Sequence, residues 1–140
     1  MTMIDDAGMT VAEPLLSWMI FAGRLCLATV FLVSGIHKGI WRDKAVQEFR
    51  DAGVPAIGLF LSLTIVLHVA GSLALVFGMF VREAALALAL FTIVATSKVH
   101  CFWRMEGMER LARSRIAMAH LAVVGGLVIL AAVGPGRIVL

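Results

Sequence analysis

The sequence predicts an all-α membrane protein, with four transmembrane helices packed as an antiparallel bundle in a single domain spanning residues 1–140. Three observations carry that expectation. Of the 140 residues 61% are hydrophobic, well above the roughly 45–50% usual for soluble domains. Only 15% are charged, against about a quarter in ordinary domains. A soluble fold this small still exposes about a third of the surface of its unfolded chain, so it cannot hide this much apolar area from water. Lipid must solvate the remainder. A soluble enzyme is therefore excluded, and the net charge of +3 does not call for nucleic acid.

A bilayer core about 30 Å thick takes about 20 apolar residues per spanning helix. Four stretches meet that length, at about 15–36, 55–79, 83–103 and 116–134. The first is interrupted by Arg24 alone, and the second carries only His68. The third stays uncharged from Glu83 to Lys98, and the fourth holds His120 in its first turns. Glu13-Pro14 suits a helix start, because proline is tolerated in a first turn. Gly134-Pro135-Gly136 suits a stop, and the short link at 79–83 makes the second and third spans antiparallel neighbours. The acidic N-terminal segment lacks the basic region and cleavage site of a signal peptide, so the first helix is expected to be retained.

Basic residues set the orientation. Nine of them (Lys38, Arg42, Lys44, Arg50, Lys98, Arg104, Arg110, Arg113 and Arg115) fall on one side, against Arg82 and Arg137 on the other. Both termini are thus expected outside, with Trp18 at the outer interface and Trp41 and Trp103 at the inner one. Trp41, Ala45, Phe49 and Ala52 recur at helical spacing, which fits a short helix lying in the inner interface. Met105, Met108 and Leu111 hint at a second. Small residues let helices approach closely in lipid. Ala70, Ala74 and Gly78, then Ala85 and Ala89, then Ala122, Gly125 and Gly126 supply such stripes.

No phosphate-binding loop, paired-cysteine motif, haem-attachment motif or HExxH occurs. Cys26 and Cys101 lie too far apart in depth for a disulfide. The informative residues are polar groups within the spans, where a charge costs at least about 2.5 kcal/mol and needs a partner. Arg24, His68 and Thr92 fall at similar depths, roughly 13–15 Å from the outer face at 1.5 Å per residue. Together they form a candidate midplane binding locus. Arg24 has no carboxylate at its depth, so its five donors must find carbonyls, hydroxyls, His68 or a bound molecule. A second candidate cluster gathers at the inner ends: His37, Lys38, Lys98, His100, Trp103 and His120. Imidazoles there could serve a metal, a haem or a quinone carbonyl. No pair has the i, i+4 spacing that puts two ligands on one helical face, so no metal or haem is expected.

Several segments, in this order, resemble the DoxX family of small bacterial membrane proteins. They are RLCLATVFLVSGIHK from Arg24 to Lys38, AGVP from Ala52 to Pro55 and GSLALVFG from Gly71 to Gly78. HCFW from His100 to Trp103, LAVVGGL from Leu121 to Leu127 and GPGR from Gly134 to Arg137 complete the pattern. The resemblance implies a four-helix protein of the bacterial inner membrane, with some relatives linked to quinone-coupled or other membrane redox complexes. The family often has an acid where His68 stands, and an asparagine where His120 stands. The acid would be the natural counter-charge for Arg24.

The resulting expectation is a non-catalytic membrane subunit, not an enzyme on its own and without a resident cofactor. Its partners would be the bilayer, a redox protein or quinone, or a second copy. A small-solute or proton pathway, with Arg24 and His68 as constriction, and a structural assembly factor are the alternatives.

Overall fold

In the computed structural model, residues 6–99 and 106–140 are described, with side chains from residue 13 to 98 and from 106 onward. Five helices follow one another: α1 Asp6–Ile40, α2 Arg42–Asp51, α3 Ile57–Phe77, α4 Val81–Val99 and α5 Gly107–Val133. His100, Cys101, Trp103, Arg104 and Met105 lie outside the described residues.

Among the described residues there are five helices, the short one expected at 41–52 (α2) among them. α1, α3 and α5 are each long and apolar enough to cross a membrane. α4 is 19 residues long and carries Arg82, Glu83 and Lys98 near its ends. α1 starts before Pro14, which sits inside the helix instead of opening it. Proline withholds one backbone donor there. α5 also starts earlier than expected, because the run from Met108 to Arg115 contains no breaker and joins the apolar segment in one helix. The proposed second interfacial helix is therefore its first turns.

α1 packs on α3, α3 on α4, α4 on α5 and α5 back on α1, closing a ring of four. α2 folds across one end and touches α1, α3 and α4. Its apolar face was expected to lie in the membrane interface. Instead Ala45 and Phe49 are buried against Leu61 of α3, while Trp41 stays exposed. Removing Phe49 from both water and headgroups favours that choice, since a fully buried large side chain contributes about 1.5–3 kcal/mol. The end that α2 covers is the α2 end; the opposite one, where residues 134–140 lie, is the tail end.

The dense core occupies the tail half. Leu75, Leu88 and Leu127 are wholly buried there, with Ala85, Ala89 and Ala28 between them. Large apolar side chains such as Leu63, Val66, Leu90, Ile93, Met118 and Ile129 remain exposed around the outside. A band of that kind asks for lipid. On α3 the anticipated small-residue stripe holds in part, since Ala74 packs against the core and Gly78 lies against Arg24. Ala70 is exposed, whereas Gly71 lies against Leu88, and a Cβ there would sit 3.1 Å from that side chain. On α1, Gly35 plays the same part: a Cβ would come within 2.9 Å of the His68 Cβ. Gly126 of α5 faces Leu27, but Gly125 meets nothing and Ala122 is exposed. Ala85 and Ala89 are buried as their spacing suggested.

Candidate functional site: a cavity beneath α2

Arg24 is fully buried at the tail end. Its Nε donates to the Leu75 carbonyl at 2.7 Å and Nη2 to the Val76 carbonyl at 2.8 Å. Nη1 donates to the carbonyls of Pro135, at 2.8 Å, and Ile138. The last four carbonyls of a helix have no intrahelical donor, and the α3 end meets them completely. Ala74 accepts from the amides of Gly78 and Met79, and Phe77 accepts from that of Leu140. Arg24 takes the two between. Gly78 makes this geometry available, with φ at +80° and a missing Cβ that would lie 2.8 Å from Nη2. The guanidinium also sits where the negative end of the α3 dipole favours a cation. A fork of fixed planar donors suits the task better than a lysine would.

His68 sits elsewhere. It is 4% exposed and lies level with Phe31 and Gly35, about two turns from Arg24 along α1. Its ring meets Phe31 edge-on at 5.3 Å between centroids and Phe91 at 4.8 Å. The expected midplane trio is therefore split. Arg24 serves the tail end, whereas His68 and Thr92 face a cavity of about 140 Å³ in the α2 half. An acid at position 68 would face that cavity too, rather than the Arg24 guanidinium.

The cavity unites members of the two anticipated clusters. Lys38 and His120, from the inner one, share its wall with His68 and Thr92. Phe49 and Glu48 of α2 line it as well, and neither was anticipated as a site residue. The i, i+4 face of α2 carries Phe49, so the folding of that helix onto the bundle is what admits both. Lys38 donates to the Ser34 hydroxyl at 3.0 Å, and the Thr96 hydroxyl bridges the Thr92 carbonyl and His120 Nδ1 at 2.7 Å each. Against these tied groups His68 is exceptional. Neither ring nitrogen has a hydrogen-bond partner, and nor does the buried Ser72 hydroxyl one turn along α3. Buried polar atoms without partners are rare enough to need a reason.

The other anticipated residues do not reach the cavity. His37 stacks near Trp41, with centroids 4.9 Å apart, in an open groove between α1 and α2. Lys98 lines a separate cleft with Phe60 and Val94. Among the described residues no group of three or more His, Cys, Asp or Glu is gathered closely enough to hold a metal ion.

The DoxX family model matches residues 19–101, which include α2, α3, α4 and most of α1. The chain belongs to the DoxX family. Its DoxX relatives include the inner membrane protein YqjF of Escherichia coli strain K12, 32% identical over 137 residues, covering 97% of this chain and 91% of YqjF. The inner membrane protein YphA of the same strain is 26% identical over 121 residues, covering 86% of each. No solved structure matches the chain. An all-helical DoxX protein whose apolar helices fit a multi-pass membrane protein agrees with both relatives. The family match stops at residue 101, so His120 and the residue 134–140 tail lie beyond it.

Proposed function

We propose that this DoxX protein is a non-catalytic subunit of the inner membrane that holds the polar head of a quinone-class molecule for a redox partner. The observation that carries the reading is His68, buried against the cavity with both ring nitrogens unpartnered. A neutral imidazole donates from one nitrogen and accepts at the other, so it can bind a quinone carbonyl or a quinol hydroxyl. Phe31 and Phe91 line the same cavity and give a quinone ring apolar neighbours. At about 140 Å³ the cavity is well below the roughly 300–1,000 Å³ that encloses a drug-sized ligand. A compact head fits; a nucleotide does not. The Thr96 hydroxyl beside His120 gives its proton to the Thr92 carbonyl rather than to the imidazole, so turnover is assigned to the partner.

α4 also crosses the bilayer in this reading. Its 19 residues extend about 28 Å, nearly the thickness of the hydrocarbon core, and its three charges lie near the ends. The α2 end, rich in Lys and Arg, then faces the cytoplasm and the tail end the periplasm. A reporter fused after the exposed Leu140 is expected to be active in the periplasm; strong activity of a cytoplasmic reporter there would reverse the orientation.

The ligand reading is tested by titrating purified protein with a short-chain benzoquinone and its quinol, following intrinsic tryptophan emission. Saturable binding is expected, weakened at least tenfold in His68→Leu. Absence of binding by either form, or equal binding by the variant, would dismiss it. The redox assignment further expects a dehydrogenase or oxidase to co-purify in mild detergent. A solute or proton pathway is the second reading, favoured by the unpartnered Ser72 hydroxyl above His68. Leu75, Leu88 and Leu127, wholly buried beyond it, close that route toward the tail end.

A further inference from the structure

We propose that the open groove between the end of α1 and α2 binds the phosphate headgroup of an anionic glycerophospholipid. This site is separate from the ligand reading of the cavity and stands without it. The groove is lined by Lys38 and His37 from the last turn of α1, by Trp41 between the helices, and by Lys44 and Glu48 of α2. Two ammonium groups against one carboxylate leave it one positive charge, which a phosphodiester neutralises. Neither Lys38 nor Lys44 forms an ion pair: the two salt bridges among the described residues join Arg113 to Glu109 and Arg137 to Glu13. Lys44 instead rests over the Trp41 ring, 5.8 Å from its centroid. Lys38 spends one of its three donors on Ser34 and keeps two.

The walls match the rest of such a lipid. Val30 and Val33 continue the groove along α1 and are about half exposed, as an acyl chain running down the helix would require. Trp41 and His37 stand at the junction of the charged and apolar parts, the level that amphipathic rings occupy at a membrane surface. A soluble phosphate would use the lysines alone. The valine wall below them is what selects a lipid.

The groove and the cavity share Val30, Ser34, Lys38 and Glu48. A bound headgroup therefore lies against the cavity wall and braces α2 in place. Lys44 lines the groove and not the cavity, so it separates the two sites.

Thermal unfolding of the full chain in a neutral detergent provides the test. Added phosphatidylglycerol is expected to raise the midpoint by several degrees, and phosphatidylcholine or inorganic phosphate at equal phosphorus concentration to leave it unchanged. Lys44→Gln should weaken the phosphatidylglycerol response roughly fivefold in concentration, the worth of one lysine near an anionic lipid. Lys44→Arg should restore it, and His68→Leu should leave it intact. Equal response to phosphatidylcholine, response to phosphate alone, or an unaltered response in Lys44→Gln would each overturn the proposal. Lys44 is exposed and rests over the indole face, so its removal does not threaten the fold.

Discussion

Arg24→Leu is expected to lower the stability of the protein by about 3–5 kcal/mol, the largest effect of any single substitution considered. Four carbonyls lose their donor at once: Leu75, Val76, Pro135 and Ile138. Each buried acceptor left without a partner costs about 1–3 kcal/mol, and water reaching the tail end offsets part of the sum. Arg24→Lys should recover less than half. A single ammonium cannot lie between the α3 end and the tail and serve both, as a planar fork does. Unfolding in mixed micelles, followed by circular dichroism against a denaturing detergent, measures the difference. A midpoint unchanged in Arg24→Leu would show that the guanidinium does not hold the tail.

His68→Leu is expected to move stability the other way. The imidazole sits 4% exposed with two unpartnered nitrogens, so the native state bears a desolvation cost of about 1–3 kcal/mol. Leucine has similar bulk and no polar atom, and the edge contacts with Phe31 and Phe91 become ordinary apolar packing. The same micelle experiment should show a stabilised protein that no longer binds the quinone head. Stability and binding changing in opposite directions is the signature of a group retained for its ligand. A destabilised His68→Leu protein would instead make the histidine part of the scaffold. The contrast with Arg24 is physical. One buried cation has four of its five N–H groups taken by backbone carbonyls, and one buried imidazole has neither nitrogen taken.

Much of this was legible in the sequence and some was not, for definable reasons. The apolar runs marked α1, α3 and α5, because hydrocarbon thickness fixes their length. Arg24, His68 and Thr92 could be singled out as polar groups in apolar surroundings, and all three are buried. Their partition between two sites was not readable. The partners of Arg24 are main-chain carbonyls, which every residue carries and no letter of the sequence reports. Counting from span ends also assumes that an arginine acts at the depth of its own Cα, whereas its long stem carries the charge outward. Glu48 and Phe49 were hidden for another reason. The amphipathic pattern of α2 says that one face is apolar, but not whether lipid or protein covers it. On α3 the alanine spacing pointed to Ala70, whereas the neighbouring Gly71 makes the close contact, since only it lets Leu88 approach. The two polar clusters were separated by estimated depth alone, and the cavity shows that His68 and Thr92 belong with Lys38 and His120.

The arrangement around Arg24 also imposes an order of events during synthesis. Two of its acceptors lie 111 and 114 residues further along the chain. At about 5–20 residues per second, the ribosome needs at least several seconds to deliver them after the arginine itself has been made. For that interval α1 rests in the membrane with a cation that only the α3 end can serve, and before α3 arrives with nothing but water and headgroups. The nascent helix is therefore a natural client for whatever shields polar residues during insertion. Arrival of the Gly134–Leu140 segment becomes the step at which the last two acceptors of Arg24 are supplied.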